Sequence, residues 1–413
     1  ATGDSFWGDS PSGIFRSDNP YSGLKGNNMK LSLQLILIMV STCIIGSCVN
    51  RGVSLSVENP LDIARHNEII SVERELLESH LNCEHPIEVS NEQQSQTLVT
   101  QLVDLDQDGN WETLLIELSI DASSRQDIHL KNVPSLDSSQ APKVFGRFVP
   151  ERKDDFAWEN DRIAFRMYGP ALEASGEISS GVDVWVKSVD YPIIDKWYAQ
   201  NKYHKDHGEG ADLYKVGPTL GAGGLGLLVD DSLYTSQNFT DYRILADGPL
   251  RFVFELDYAE WGHDSLRIIE TKRIRLDAGE HFNLIQSQLK MSVPLPFGSN
   301  IVTGLLAHPI SEADPVSING SENYLVMYEP IKGENGSLGT AVVRKTLMDN
   351  TSLKKMGNQY LMVLPIDPTG VVQYVAGAGW SKSPWLGSEA DWQALVESYG
   401  LRQKHPLKLE FKN

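Results

Sequence analysis

The chain has 413 residues with 36 Lys+Arg against 55 Asp+Glu, a formal charge of −19, and so lacks the basic surface that neutralising nucleic-acid phosphates requires. Hydrophobic residues at 41% and charged residues at 22% give an ordinary globular composition with apolar mass for one large core or two, which excludes disorder over most of the chain. Three cysteines, Cys43, Cys48 and Cys83, build neither a disulfide framework nor a Cys-rich zinc site.

Residues 1–28 lack an initiating Met and read as translated upstream sequence or an appended remnant. Met29-Lys30 opens a short positive start, followed by an apolar stretch from Leu31 to Ile45 and small residues before Cys48. That is the layout of a secretory signal peptide over 29–47. The run falls short of the roughly 20 apolar residues of a membrane-spanning helix. Ile45-Gly46-Ser47-Cys48 resembles the bacterial lipobox, whose cysteine is acylated and becomes the mature N-terminus. The plainer alternatives are a simple secretory signal or an internal hydrophobic helix. The expectation is an exported lipoprotein, periplasmic or on the cell surface, that meets the membrane only through a lipid on Cys48. An acidic chain does not seek anionic lipid by charge.

From Val53 to about Leu130, VSLSVENP, EIISVERELL, TLVTQLVDLDQDGNWETLLIEL and DIHLKNV alternate apolar and polar residues between turn signals, predicting a small N-terminal β domain over 48–133. The Pro- and Ser-rich PSLDSSQAPK predicts a linker at 134–144. From Phe145 onward, RIAFRMYG, GVDVWVKSV, RFVFELDY, RIIETKRIRL, FNLIQSQLKMSV, YLVMYEP, GTAVVRKTL, QYLMVLPI and VVQYVAGAGW predict a large antiparallel β-sandwich over 145–413. The fold class is all-β. One helix is predicted from Ser388 to Gly400, with a cap residue, an acidic first turn and a glycine stop.

Asp104, Asp106 and Asp108, followed by Gly109, could offer hard oxygens to Ca²⁺, with Glu112 nearby. Position twelve of such a loop is Leu115 instead of the bidentate Glu of an EF-hand, and the same residues also read as an acidic hairpin turn. GAGGLG at Gly221–Gly226 matches G-x-G-x-x-G, but strand and turn follow it. Dinucleotide binding is excluded because the phosphate needs a helix N-terminus there; the glycines mark a bulge or close backbone approach.

The segment Val149–Gly217 sets Arg152, Lys153, Arg162, Arg166 and Lys187 among Trp158, Trp185, Trp197, Tyr168, Tyr198, Tyr203 and Tyr214. Aromatic faces and cations together suit an acidic sugar, stacked through its C–H face and held by its carboxylate. A solvated outer face with ordinary ion pairs is the competing account. Alternation sets Ile163, Phe165 and Met167 on one face and Arg162, Ala164 and Arg166 on the other. Next comes a charged loop with His204 and His207 beside Asp206, Glu209 and Asp212. It could hold a divalent metal near the two histidines or supply acid–base groups titrating near neutrality. His263 and His308 lie far along the chain and nothing local places them.

At VPERKDDFAWENDRIAFRMYGPAL, GVDVWVKSV, YHKDHGEGADLYKVG, GPLRFVFELDY and KRIRLDAGEHFN, the sequence resembles a bacterial domain-of-unknown-function family encoded in polysaccharide-utilisation loci. The resemblance runs from about Val53 to the C-terminus. It implies a galactose-mutarotase-like supersandwich and an oligosaccharide dehydratase acting in breakdown of ulvan, an algal sulfated glycuronan. That reaction removes water across C4 and C5 of a non-reducing-end uronic acid and leaves a 4,5-unsaturated residue. The implied partner is an acidic oligosaccharide, and no cofactor is certain.

The resemblance supplies the reaction; the roles follow from residue chemistry. The substrate carboxylate must be neutralised, a base must reach C5–H, and an acid must protonate the leaving hydroxyl. Arg152 and Arg166, with Lys187, are expected at the carboxylate; His207 or Tyr203 is the expected base and His204 or Tyr214 the expected acid. Trp158, Trp185 and Trp197 are the expected sugar platforms. Rival readings are a lyase using the same elimination with a sugar leaving group, and a non-catalytic glycan-binding lipoprotein. An epimerase is weaker, because fold does not fix function.

Overall fold

The computed structural model describes residues 52–91, 96–136, 141–309, 317–320, 323–345 and 353–412, all within one compact unit spanning Asn50–Asn413. The signal peptide and Cys48 expected at 29–48 lie outside the described residues. No described helix is long and apolar enough to cross a membrane. The fold is all-β, as the strand pattern predicts, and its ladders are antiparallel, arranged in five sheets.

Two sheets form the N-terminal region. Val53–Glu58 lies between Arg125–Asn132 and Lys408–Lys412, the last strand of the chain. Leu55, Val57, Ile128 and Leu130 share a core with Val72, Leu114 and Ile116 of the second sheet. Burial of such alternating apolar residues drives the two layers together. Within the expected linker, residues 137–140 lie outside the described set. On either side the N-terminal sheets are bonded to the sandwich: Lys143 Nζ lies 2.6 Å from Glu117 Oε1, and Gln101 donates to the Arg251 carbonyl at 3.0 Å. The small β region and the sandwich thus belong to one compact unit.

The sandwich is built on a nine-stranded sheet. Two five-stranded sheets share its core, one contributing Trp158, Phe165, Val184 and Val186, the other Leu225, Leu227, Ile301 and Leu305, against Phe252, Phe254, Ile274 and Ile285. Gly223, Gly224 and Gly226 of GAGGLG lie in the strand Ala222–Val229, and Gly221 directly precedes it. Gly223, at φ +112, sits where a Cβ would lie 2.4 Å from the Ala376 methyl, and the register shifts between Ala222 and Leu225. Glycine is needed there for a bulge under close contact, as expected.

The predicted helix is Glu389–Lys404, capped by the Ser388 hydroxyl, which accepts from the Asp391 N–H. Trp392, Val396 and Tyr399, one helical face, are buried with Phe282, Val326, Ala341 and Val375. The helix does not stop at Gly400. Arg402 donates to Glu280 at 2.6 Å and to Glu68 at 3.0 Å, which secures a further turn.

Candidate functional site

The motif-bearing segment forms the sheet of Val144–Val149, Asp155–Asn160, Ile163–Met167, Asp183–Lys187 and Gly210–Asp212. Ile163, Phe165, Met167, Val184 and Val186 face the main core, as alternation predicts. Trp158 faces it too, stacked on Phe165 at 5.6 Å and donating its indole N–H to Asn283 Oδ1 at 2.7 Å. The opposite face is roofed by the helix Ile194–Gln200 and the loop after it, so that Trp185, Trp197, Tyr198 and Tyr203 bury one another.

That roof overturns two expectations. Trp158 and Trp185 are fully buried and Trp197 is 4% exposed, so none has a ring face free for a sugar. Lys187 is sealed, its ammonium 2.5 Å from Glu159 Oε2 and 2.7 Å from the Asn160 carbonyl. The other Glu159 oxygen accepts the N–H groups of Ile193 and Ile194. The pair is a clamp on the roofing helix, its charges kept tolerable by full hydrogen bonding.

Arg166 lies beside the roof, its guanidinium 5.1 Å from the Trp185 ring. It donates to Asp183 Oδ2 from Nε at 2.8 Å and from Nη2 at 2.5 Å, and to Asp212 Oδ2 at 2.9 Å. Its Nη1 is 3.6 Å from Asp155. Tyr168 donates to Asp183 Oδ2 at 3.1 Å, and Tyr198 donates to Asp155 at 3.2 Å. Arg166 is therefore occupied by the protein's own carboxylates and is not free to clamp a substrate carboxylate. One cation faces three buried carboxyls, and burial penalises uncompensated charge. Burial pushes Asp155 up to about 6. Burial and then the Asp183 charge push Asp212 well above the usual carboxylate range.

A cavity of about 990 Å³ opens beside this cluster, lined by Arg166, Tyr168, His204, Asp212, Tyr214, Lys215 and, from another loop, Lys332. His204 is exposed, with Nδ1 3.3 Å from Asp212 Oδ2. Burial of the ring, then Arg166 and Arg152, lower its pKa below the ordinary histidine value of 6.5, leaving a neutral imidazole at pH 7. Lys215 and Lys332 are exposed and have no carboxylate partner within ion-pair distance among the described residues. They are the cations free to meet an anion.

The structure brings together Arg166, Tyr168, His204, Asp212 and Tyr214 of the residues singled out in sequence. The Tyr214 hydroxyl is committed, donating to the Leu306 carbonyl at 3.2 Å, and burial raises its pKa well above 10. Tyr203 is buried with its hydroxyl accepting from Arg152 Nε at 2.7 Å, so both residues face each other outside the cavity lining. His207 is exposed and likewise outside the lining. In its loop, Asp206 accepts the N–H groups of Gly208 and Gly210 at 2.7 and 3.1 Å, while Glu209 holds Lys196 at 2.5 Å and Trp197 at 3.3 Å. These carboxylates shape the loop instead of pointing at a shared ion.

At the N-terminal turn, Asp104, Asp106 and Asp108 converge to within 4.8 Å. Each accepts a local N–H, from Gly109, Asp108 and Asn110 respectively, and Glu112 accepts from Leu105. The three carboxylates lie close enough to share an ion, and their local bonds are equally those of an acidic hairpin turn. His263 stacks on Tyr234 at 4.2 Å. His308, which no local pattern placed, reaches the cavity region: it packs edge-on against Tyr214 at 4.5 Å and borders a second hollow of about 400 Å³ that shares Tyr214 and Lys332 with the first. Asp155, Asp183, Lys215, Lys332 and Glu329 were missed. The one signal was register, since Arg166 pairs directly across the ladder with Asp183.

Residues 57–409 match the family described as a domain of unknown function, DUF4861. The chain belongs to that family. An uncharacterized protein P7 of Formosa agariphila is 32% identical over 407 residues, covering 93% of this chain and 100% of the relative. Among solved structures, an alpha-mannosidase from Enterococcus faecalis V583 superposes with a TM-score of 0.50 at 8% identity, over 88% of this chain and 46% of that one. A glycosyl hydrolase family 38 protein from Enterococcus faecalis gives 0.48 at 8% identity, over 88% and 48%. This DUF4861 chain spans under half the length of the mannosidase, and the likeness is one of fold.

Proposed function

We propose that this DUF4861 protein is an oligosaccharide dehydratase acting on a non-reducing-end glucuronic or iduronic acid of ulvan-type oligosaccharides. The observation that carries the reading is a cavity in which a neutral imidazole, a proton-holding carboxyl and two unpaired ammonium groups share one space. The sequence resemblance supports it, and so does a fold shared with a protein named as a mannosidase, a carbohydrate enzyme.

In this reading Lys215 and Lys332 neutralise the substrate carboxylate, which acidifies C5–H. His204 takes the C5 proton, the electron pair forms the C4–C5 double bond, and the C4–O bond breaks. Asp212 gives its proton to the leaving hydroxyl, which departs as water. The imidazolium then returns a proton to Asp212 across the 3.3 Å contact, so the pair resets each turnover. His204 is thus the base, not the acid expected from the sequence.

The test mixes the protein with saturated oligosaccharides ending in glucuronic or iduronic acid, following unsaturated-uronate absorbance and mass. A rise with loss of one water and no shortening is the expected result; shortening would make the protein a lyase, and binding with no rise a glycan-binding protein. His204→Ala should abolish the signal while His207→Ala leaves it within about twofold. The proposal includes export and a lipid on Cys48. Radiolabelled palmitate should enter the native chain and not Cys48→Ser.

A further inference from the structure

We infer that His308 and Glu329 form a protonated lock that holds the cavity wall at Lys215, so that ligand binding weakens when the lock loses its proton. The proposal deepens the functional reading and rests on it for the ligand, while the lock itself stands on geometry.

The wall residues 213–216 belong to no strand or helix, and they carry both Tyr214 and Lys215 into the cavity. Two side-chain ties run from this stretch to the exit of the strand Ser299–Leu306: the Tyr214 hydroxyl on the Leu306 carbonyl, and His308 Nε2 on the Lys215 carbonyl at 2.7 Å. A carbonyl only accepts, so Nε2 must carry a hydrogen. The other ring nitrogen, Nδ1, is 3.0 Å from Glu329 Oε1, and the His308 backbone N–H donates to Glu329 Oε2 at 2.6 Å. Glu329 thus accepts at both oxygens, which puts the second hydrogen of the ring on Nδ1. The ring is then an imidazolium bridging a carboxylate and a carbonyl. With both nitrogens committed it cannot exchange a proton with substrate, so it is a positioning residue.

The groups facing His308 are few. Glu329 comes from the strand Tyr324–Pro330, Tyr214 and Lys215 from the wall, Asp183 acts from the neighbouring sheet, and Lys332 lines the same hollow. Burial opposes the charge, but Glu329 and the Lys215 carbonyl outweigh it, and the pKa is raised above 6.5. The tie is therefore complete below the ordinary 6.5 and is lost as pH climbs through the raised value. The neutral ring keeps its hydrogen on Nδ1, facing the carboxylate, so the Nε2 hydrogen is the one lost, which sets a bare nitrogen lone pair against the Lys215 carbonyl and frees the wall.

The experiment is a nitrogen-detected NMR titration of the histidines in the full chain, with His308→Gln assigning the signal, beside KM and kcat from pH 6 to 9 on a glucuronate-terminated oligosaccharide. Both His308 nitrogens should be protonated at pH 6. KM should rise at least about fivefold across the titration with kcat little changed. Glu329→Gln should move both the NMR midpoint and the KM inflection to lower pH, and His308→Gln should remove the inflection. An unprotonated His308 nitrogen at pH 6, or a midpoint unmoved by Glu329→Gln, overturns the lock. If the oligosaccharide is not turned over, the NMR arm still decides the lock, and only the functional reading fails.

Discussion

At the Arg166 cluster, one guanidinium serves three carboxyls, and the titration of Asp155 should be readable by substitution. Asp155 is pushed up to about 6, from an ordinary 3.8, by burial. Its folded value lies above its unfolded one, so its favourable contribution is complete below 3.8 and lost as pH rises through about 6. Asp155→Asn mimics the protonated form. Its thermal midpoint relative to the native chain should therefore improve between pH 5 and pH 8, and a constant difference would show that Asp155 does not titrate there. Asp212→Asn should keep the fold and cut turnover by about 10²-fold or more, because a proton is no longer available for the leaving group. At this scale the sequence exposed residue types better than partners. Alternation found the face carrying Arg166 and Lys187, yet polar residues on that face looked solvated when Glu159 and the Asp trio were waiting on neighbouring strands. Trp158 was misread for a simpler reason: it shares the parity of Phe156 and belongs to the core side.

The C-terminal helix shows what a single element conceals. Its start was legible from Ser388 and its acidic first turn, both local features. Its end was not, because the turn beyond Gly400 depends on Arg402 reaching Glu68 and Glu280, far away in sequence. The helix seats Trp392 over Gly339 and Gly379, where an added Cβ would lie 2.6 and 3.0 Å from the indole. Gly339→Ala should lower the thermal midpoint by displacing the ring, and Trp392→Ala should cost about 3–5 kcal/mol in denaturant unfolding. A neutral result for both would mean the helix is not docked. The roofing helix Ile194–Gln200 was equally invisible, since only seven residues form it and its anchor is the carboxylate of Glu159 on another strand.

For the molecule as a whole, the all-β class was legible, because period-two alternation is a local property. The joining of its parts was not. Nothing in KLEFK announces that Lys408–Lys412 pairs with Val53–Glu58, setting Leu409 opposite Val57 and stacking Phe411 on His80 at 4.5 Å. Removing residues 406–413 should lower the thermal midpoint and raise protease sensitivity in the N-terminal sheets first, as mapped by fragment masses. Intact N-terminal fragments at the first cut would show that the strand is ornamental.

That pairing also sets a timetable. Val53–Glu58 acquires its outer neighbour only when Lys408–Lys412, some 350 residues later, has left the ribosome, so one edge of this sheet stays bare until then. The N-terminal sheet cannot be completed before that point. Under the export proposed above, a nascent chain that waits in this way would remain threadable until it has crossed a membrane.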